Sequence, residues 1–130
     1  MRDIPFFRPL ITDREHELIK ETLDKNANYM VENLENKIKE FFGTKHAITT
    51  NNGTAAIHLS LCAMDLKRGD KIICSVNAFP SIAQVIRHFD AEPIFVDICE
   101  DDFNIDPNEL EKILKTQNHK KLKAAFITHV

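Results

Sequence analysis

The sequence predicts an α/β fold, a mostly parallel sheet with helices on both faces. From about residue 46 onward, short apolar runs of strand type alternate with helical stretches, so successive strands are joined by crossovers. The strand-type runs, among them Ile72-Ile73-Cys74, Ile94-Phe95-Val96 and Ala124-Ala125-Phe126-Ile127, are continuously apolar, as in strands covered on both sides. A hydrophobic content of 43% with 28% charged residues is ordinary for a folded chain and excludes wholesale disorder.

Residues 1–45 form an N-terminal helical segment, and 46–130 carry the α/β alternation. After an irregular opening with Pro5 and Pro9, Thr12 or Asp13 caps a helix bearing Leu18, Ile19, Thr22 and Leu23. Asn26-Ala27-Asn28 breaks it. Val31, Leu34, Ile38, Phe41 and Phe42 mark a second amphipathic helix, ended by Gly43 as a C-terminal cap. Ala47-Ile48-Thr49-Thr50 is expected as a short strand and Thr54 to Leu66 as an apolar helix, followed by a turn at Lys67-Arg68-Gly69-Asp70. Lys71 to Ser75 is the next strand, Pro80 to Phe89 a helix with proline in its first turn, and Pro93 to Asp97 a third strand. A helix with Leu110, Ile113 and Leu114 follows Pro107, and Ala124 to Thr128 is a fourth strand. With only three glycines (Gly43, Gly53 and Gly69), each is expected where backbone freedom is needed. The last residues, Thr128-His129-Val130, lie directly on a buried-type strand. That pattern suggests a larger domain cut short, or an edge strand that closes the sheet.

Charge and cysteine content exclude several function classes. A net charge of −3 and a pI near 6.1 give no footprint for nucleic acid or an anionic membrane. No apolar run approaches the roughly 18 residues of a membrane-spanning helix, and Met1-Arg2-Asp3-Ile4-Pro5 lacks the apolar core of a secretory signal. Cys62, Cys74 and Cys99 are odd in number and widely spaced, neither a disulfide framework nor a zinc site, which suits a reducing cytoplasm.

In open α/β sheets, ligands bind beyond the carboxyl ends of the strands, and three places qualify. The first is Thr50-Asn51-Asn52-Gly53-Thr54-Ala55, passing from strand to helix. Gly53 lets an anion approach the backbone, Thr54 adds a hydroxyl, and the free N–H groups of the helix start hold a phosphate. It is neither a Walker loop nor a GxGxxG fingerprint, and a plain helix cap from Asn52 or Thr54 explains the same residues equally well. The second is Ser75 to Ser81, where Phe79 either stacks on a flat heteroaromatic ligand or staples the helix start. The third is Asp97, better explained by bonding to local backbone. His58 is expected in a packing role, His129 is more open, and Lys120-Lys121-Leu122-Lys123 is expected as a solvated face. No catalytic triad, metal cluster or carboxylate pair emerges.

The order of these segments resembles the N-terminal part of the DegT/DnrJ/EryC1/StrS aminotransferases. The resemblance rests on Pro5-Phe6-Phe7-Arg8-Pro9, Asn52 through Leu59, Arg68 through Ile73, Asn77-Ala78-Phe79, Pro93 through Ile98, Phe103 through Pro107 and Ile127 through Val130. It implies the first part of the large domain of a fold-type I, aspartate-aminotransferase-like enzyme that uses pyridoxal 5′-phosphate. It further implies a cytoplasmic homodimer that transfers an amino group, typically from glutamate, to a nucleotide-linked keto-sugar. Carried over residue by residue, Gly53 and Thr54, with Asn52 where the family has serine, bind the cofactor phosphate, and Phe79 stacks on the ring. Asn26 to Met30 replaces the family's glycine-containing turn, a region that borders the sugar site. The family's aspartate and cofactor-bearing lysine fall beyond Val130, so no catalytic residue is nominated within the chain. The 130 residues alone are expected not to catalyse transamination. A non-catalytic binding or partner module, and a sugar dehydratase relative, are the alternatives.

Overall fold

A computed structural model describes residue 5, residues 7–116 and residues 120–130. The opening Met1 to Ile4, Phe6 of the Pro5–Pro9 motif, and residues 117–119 lie outside the described residues. The chain divides into two compact units, Met1–Thr49 and Thr50–Val130.

The first unit holds two helices. Helix α1 (Asp13–Asp24) starts at Thr12, which builds a capping box with Glu15: the Thr12 hydroxyl accepts from the Arg14 N–H, and the Glu15 carboxylate accepts from the Thr12 N–H at 2.6 Å. Helix α2 (Ala27–Phe42) begins sooner than the sequence suggests. Asn26 does not simply break the chain; its side chain accepts the Tyr29 N–H at 3.0 Å and caps the new helix, so Asn28 is helical. Gly43 closes α2 in the left-handed region, with φ at 65°, the role foreseen for it. The strand expected at Ala47 to Thr50 does not form. Strand backbone needs a ladder partner, and the Thr49 N–H instead donates to the Glu35 carboxylate at 2.8 Å, with the Thr49 hydroxyl on the same oxygen at 3.1 Å.

The second unit is a three-layer α/β arrangement. In chain order it contains α3 (Gly53–Ala63), β1 (Lys71–Ser75), α4 (Ser81–His88), β2 (Glu92–Val96), α5 (Pro107–Thr116) and β3 (Leu122–Phe126). The three strands form one all-parallel sheet of order β2-β1-β3, with Ile73 opposite Ile94 on one side and Ala125 on the other. Neighbouring side chains of β1 point to opposite faces, and the core divides accordingly. Ile72 and Cys74 join Leu61, Val85, Ile86 and Ala91 beneath α3 and α4, whereas Ile73 joins Val96 and Ile105 beneath α5, with Leu110 and Ile113 packed against them. The expected double cover of the sheet is therefore present.

Two boundaries differ from expectation. Helix α3 ends at Ala63, and Asp65 then takes a positive φ of 48°. Strand β3 ends at Phe126, which pairs with Cys74; Ser75, the last residue of β1, pairs only with Val96 of β2, so Ile127 and Thr128 lie past the ladder. The register also shifts between Lys71 and Ile72, whose partners are Leu122 and Ala124. Leu122 consequently packs on the α5 side while Ala124 and Phe126 pack on the α3–α4 side. The turn at Lys67 to Asp70 forms as expected, closed by Asp70 N–H to Lys67 carbonyl at 2.9 Å and by Gly69 at φ 78°. The lysines near β3 are not merely a solvated face, since Lys121 Nζ lies 3.6 Å from the buried carboxylate of Asp70. No helix among the described residues is long and apolar enough to cross a membrane.

Candidate functional site

Helix α3 begins at Gly53, and the start of a helix leaves backbone N–H groups without intrahelical partners. Here the Asn52 side chain accepts from Ala55 N–H at 2.8 Å, and the Asn52 carbonyl accepts from Ala56 N–H at 3.2 Å. Asn52 is therefore the cap, and the N–H groups of Gly53 and Thr54 at the positive end of the helix are left without an acceptor among the described residues.

Gly53 itself has no conformational need to be glycine. Unlike Gly43 and Gly69, it does not have a positive φ, and a Cβ built on it would meet no atom within 4 Å. The expectation that each glycine answers a backbone need is corrected for this one. Neither strain nor internal packing requires its small size, so what glycine provides here is open space directly above the helix start.

That space belongs to a cavity of about 460 Å³ lined by Asn52, Gly53, Thr54, Ile57, Phe79, Ser81, Ile82 and Thr128. The cavity brings together all four predicted site residues from two separate loops. Phe79 lies past the end of β1, before α4. With 76% of its surface exposed, it is not a buried staple for α4, whose start has no side-chain cap. Phe79 also borders a smaller hollow of about 340 Å³ that reaches Cys74, Ser75 and Phe95. A larger cavity of about 700 Å³ opens on the other side of the same helix start, lined by Asn51, Asn52, Thr54, His58 and Cys62 among others. No described residue lining the cavity that holds Phe79 carries a charge, so an anion there would be held by backbone dipoles and hydroxyls.

Sequence reasoning missed Thr128, Ser81, Ile57 and Ile82 as lining residues. The signal for Thr128 was available: in a parallel sheet the residues just past each strand share one edge, and Thr128 follows the end of β3 as Phe79 follows the end of β1, at two and four residues.

The other expected groups lie elsewhere. Asp97 accepts the Ile98 N–H on its carboxylate at 2.9 Å, the local bonding foreseen for it. His58 is exposed, not buried in a core; its ring meets the edge of Phe89 at 5.1 Å and lies 6.4 Å from that of His88. His129 is exposed. Burial pushes the Cys74 thiol up, and desolvation together with the carboxylates of Asp106, Asp102 and Asp101 does the same to Cys99, which disfavours the thiolate at either. No set of three or more metal-ligating side chains converges among the described residues.

Comparison with known proteins places the chain among relatives of known family. The chain is 39% identical over 111 residues to the spore coat polysaccharide biosynthesis protein SpsC of Bacillus subtilis, a match covering 83% of this chain and 28% of that protein. It is 32% identical over 135 residues to the GDP-perosamine synthase of Escherichia coli O157:H7, covering 100% of this chain and 36% of that one. Among solved structures, Spr1654 of Streptococcus pneumoniae in its PMP form superposes with a TM-score of 0.82 at 28% identity, over 97% of this chain and 32% of its own. The chain thus spans about a third of the length of the relatives it matches. The fold is that of part of a PLP-dependent sugar aminotransferase, as the resemblance implies. With the family model of the DegT/DnrJ/EryC1/StrS aminotransferases matching residues 9–130, the chain belongs to that family.

Proposed function

We propose that this chain supplies the cofactor-phosphate cradle of an aminotransferase acting on a nucleotide-linked keto-sugar. The observation that carries the proposal is the meeting of the open helix start at Gly53 and Thr54 with the exposed ring of Phe79 in one cavity. The donor set fits pyridoxal 5′-phosphate: unpaired N–H groups and the Thr54 hydroxyl for the phosphate, open space above Gly53, and an aromatic face for the ring. Bound there, the cofactor supplies the electron sink on which amino groups are exchanged.

In this proposal Gly53 and Thr54 hold the phosphate. Asn52 keeps the helix start in shape through its cap and offers its amide N–H₂ beside the phosphate, and Phe79 covers one face of the ring. Residues 1–45 are the helical segment and 46–130 the first part of the cofactor-binding domain. The whole protein, working as a cytoplasmic homodimer with glutamate as amino donor, would serve amino-sugar and polysaccharide biosynthesis. The GDP-perosamine synthase and the spore coat polysaccharide protein among the relatives support that substrate class. No lysine is among the described residues that line the cavity, and in this proposal the 130 residues alone bind and orient without turnover.

Titration of the ¹⁵N-labelled chain with inorganic phosphate and with pyridoxamine 5′-phosphate tests the reading. The second probe carries ring and phosphate without an aldehyde to react with lysines. Both should shift the Gly53 and Thr54 amides, and only the second should perturb Phe79. Saturable shifts confined to other elements would overturn the proposal.

A further inference from the structure

The loop between β2 and α5 makes a tight corner whose geometry is unusual. Phe103 has φ 59°, in the left-handed region that a bulky side chain rarely enters. The other non-glycine residues of positive φ among the described residues are Asp65 and Asp90, a residue type that tolerates it. The surroundings hold Phe103 there: its N–H donates to the Cys99 carbonyl at 3.1 Å, the Cys99 N–H donates to the Asn104 carbonyl at 2.9 Å, and Ile98 bridges Ile105. Asn104 is fixed in turn by its N–H on the Asp102 carboxylate at 3.0 Å and by its side-chain oxygen, which accepts the Val130 N–H at 2.9 Å. Such strain persists only where neighbours over-determine it.

The corner aims the Phe103 carbonyl at the loop that carries Phe79. Asn77 donates its side-chain N–H to that carbonyl at 3.2 Å, and the Asn77 backbone N–H donates to Ser75 Oγ at 3.2 Å. Asn77 is thereby tied at both backbone and side chain, two residues before Phe79. The ring of Phe79 is largely exposed and has little packing of its own to hold it.

We propose that Asn77 is a positioning residue, which, anchored on the Phe103 carbonyl, holds the Phe79 loop so that the ring faces the cavity. The inference rests on the reading of Phe79 as a stacking residue. Its role is to lower the ordering cost of binding a planar ring, and it leaves the phosphate contacts alone.

Binding of pyridoxamine 5′-phosphate and of inorganic phosphate to the full chain tests it by calorimetry. Asn77→Ala should weaken pyridoxamine 5′-phosphate by about fivefold, the effect of one net hydrogen bond, and leave inorganic phosphate unchanged. Asn77→Asp, of the same size without the donor, should match it. Because the residue acts through Phe79, the double variant Asn77→Ala/Phe79→Ala should bind no more weakly than Phe79→Ala alone. If Phe79→Ala weakens the ring-bearing ligand while Asn77→Ala and Asn77→Asp bind it like the parent chain, or if the two losses add, the positioning role is overturned. If Phe79→Ala itself changes nothing, the stacking reading falls, and this proposal with it. A loss of inorganic phosphate binding in Asn77→Ala would also overturn it.

Discussion

Asp70 and Lys121 lie at the closed end of the sheet, with the lysine Nζ 3.6 Å from a carboxylate that is almost wholly buried. The same carboxylate accepts the Lys67 N–H at 2.9 Å, and the Asp70 carbonyl accepts from Glu92 where β2 begins. The Lys67 N–H, and then the Lys123 and Lys121 ammonium groups, hold the Asp70 carboxyl below the usual carboxylate range.

A pH dependence follows. Because the folded value is depressed, the stabilisation is present in full above the unfolded value of about 3.9 and is lost as pH falls through the folded value. Asp70→Asn should therefore destabilise the chain at pH 7, with the gap narrowing below about pH 4. Urea unfolding of both chains at pH 7 and pH 3 reads this out. An equal gap at the two values would show that the charge is not what matters.

Leu61 links the site to the core. It is fully buried in the last turns of α3, among Ile72, Cys74 and Ile86, and so pins the helix whose first turn opens on the cavity. Leu61→Ala should cost about 3 kcal/mol, the transfer of the lost atoms plus the void they leave. Denaturant unfolding checks it, and a loss under about 1 kcal/mol would mean that α3 settles into the space.

Several large apolar side chains remain open to solvent, among them Leu10, Leu23, Phe41 and Phe42, each more than two-thirds exposed. Large apolar side chains left in water favour association with another apolar surface. Light scattering should give a mass that rises above 15.0 kDa with concentration. A constant monomer mass across a wide concentration range would count against self-association.

What was legible in the sequence was local. Thr12, Gly43 and the turn at Gly69 announce themselves because a cap or a left-handed residue needs only near neighbours. The unmade strand at Ala47 to Thr50 depends on which backbone lies opposite, which local pattern does not encode. The same limit applied to the cavity. Gly53 and Phe79 could each be singled out on its own loop, but their meeting, and the presence of Thr128 beside them, follow from the parallel order β2-β1-β3. Lys121 looked like a solvated charge because its partner Asp70 is distant in sequence and comes beside it only when β1 and β3 pair.

The strongest test of the cradle uses Gly53, because there the folded chain and a ligand make opposite demands. A side chain at this position meets nothing within 4 Å and the backbone is not left-handed, so Gly53→Val should fold, with only a small propensity effect at the helix end. A phosphate seated on the Gly53 and Thr54 N–H groups needs its oxygens about 3 Å from those nitrogens, and the valine methyl groups would occupy part of that approach. Gly53→Val should thus keep its circular dichroism and lose inorganic phosphate and pyridoxamine 5′-phosphate together. Thr54→Ser, which keeps the hydroxyl, should retain both within a few-fold. Phe79→Ala should lose affinity for the ring-bearing ligand alone, since phosphate offers nothing to stack. Undiminished phosphate binding by a folded Gly53→Val would show that the anion sits elsewhere, leaving Asn52 and Gly53 as no more than the beginning of a helix.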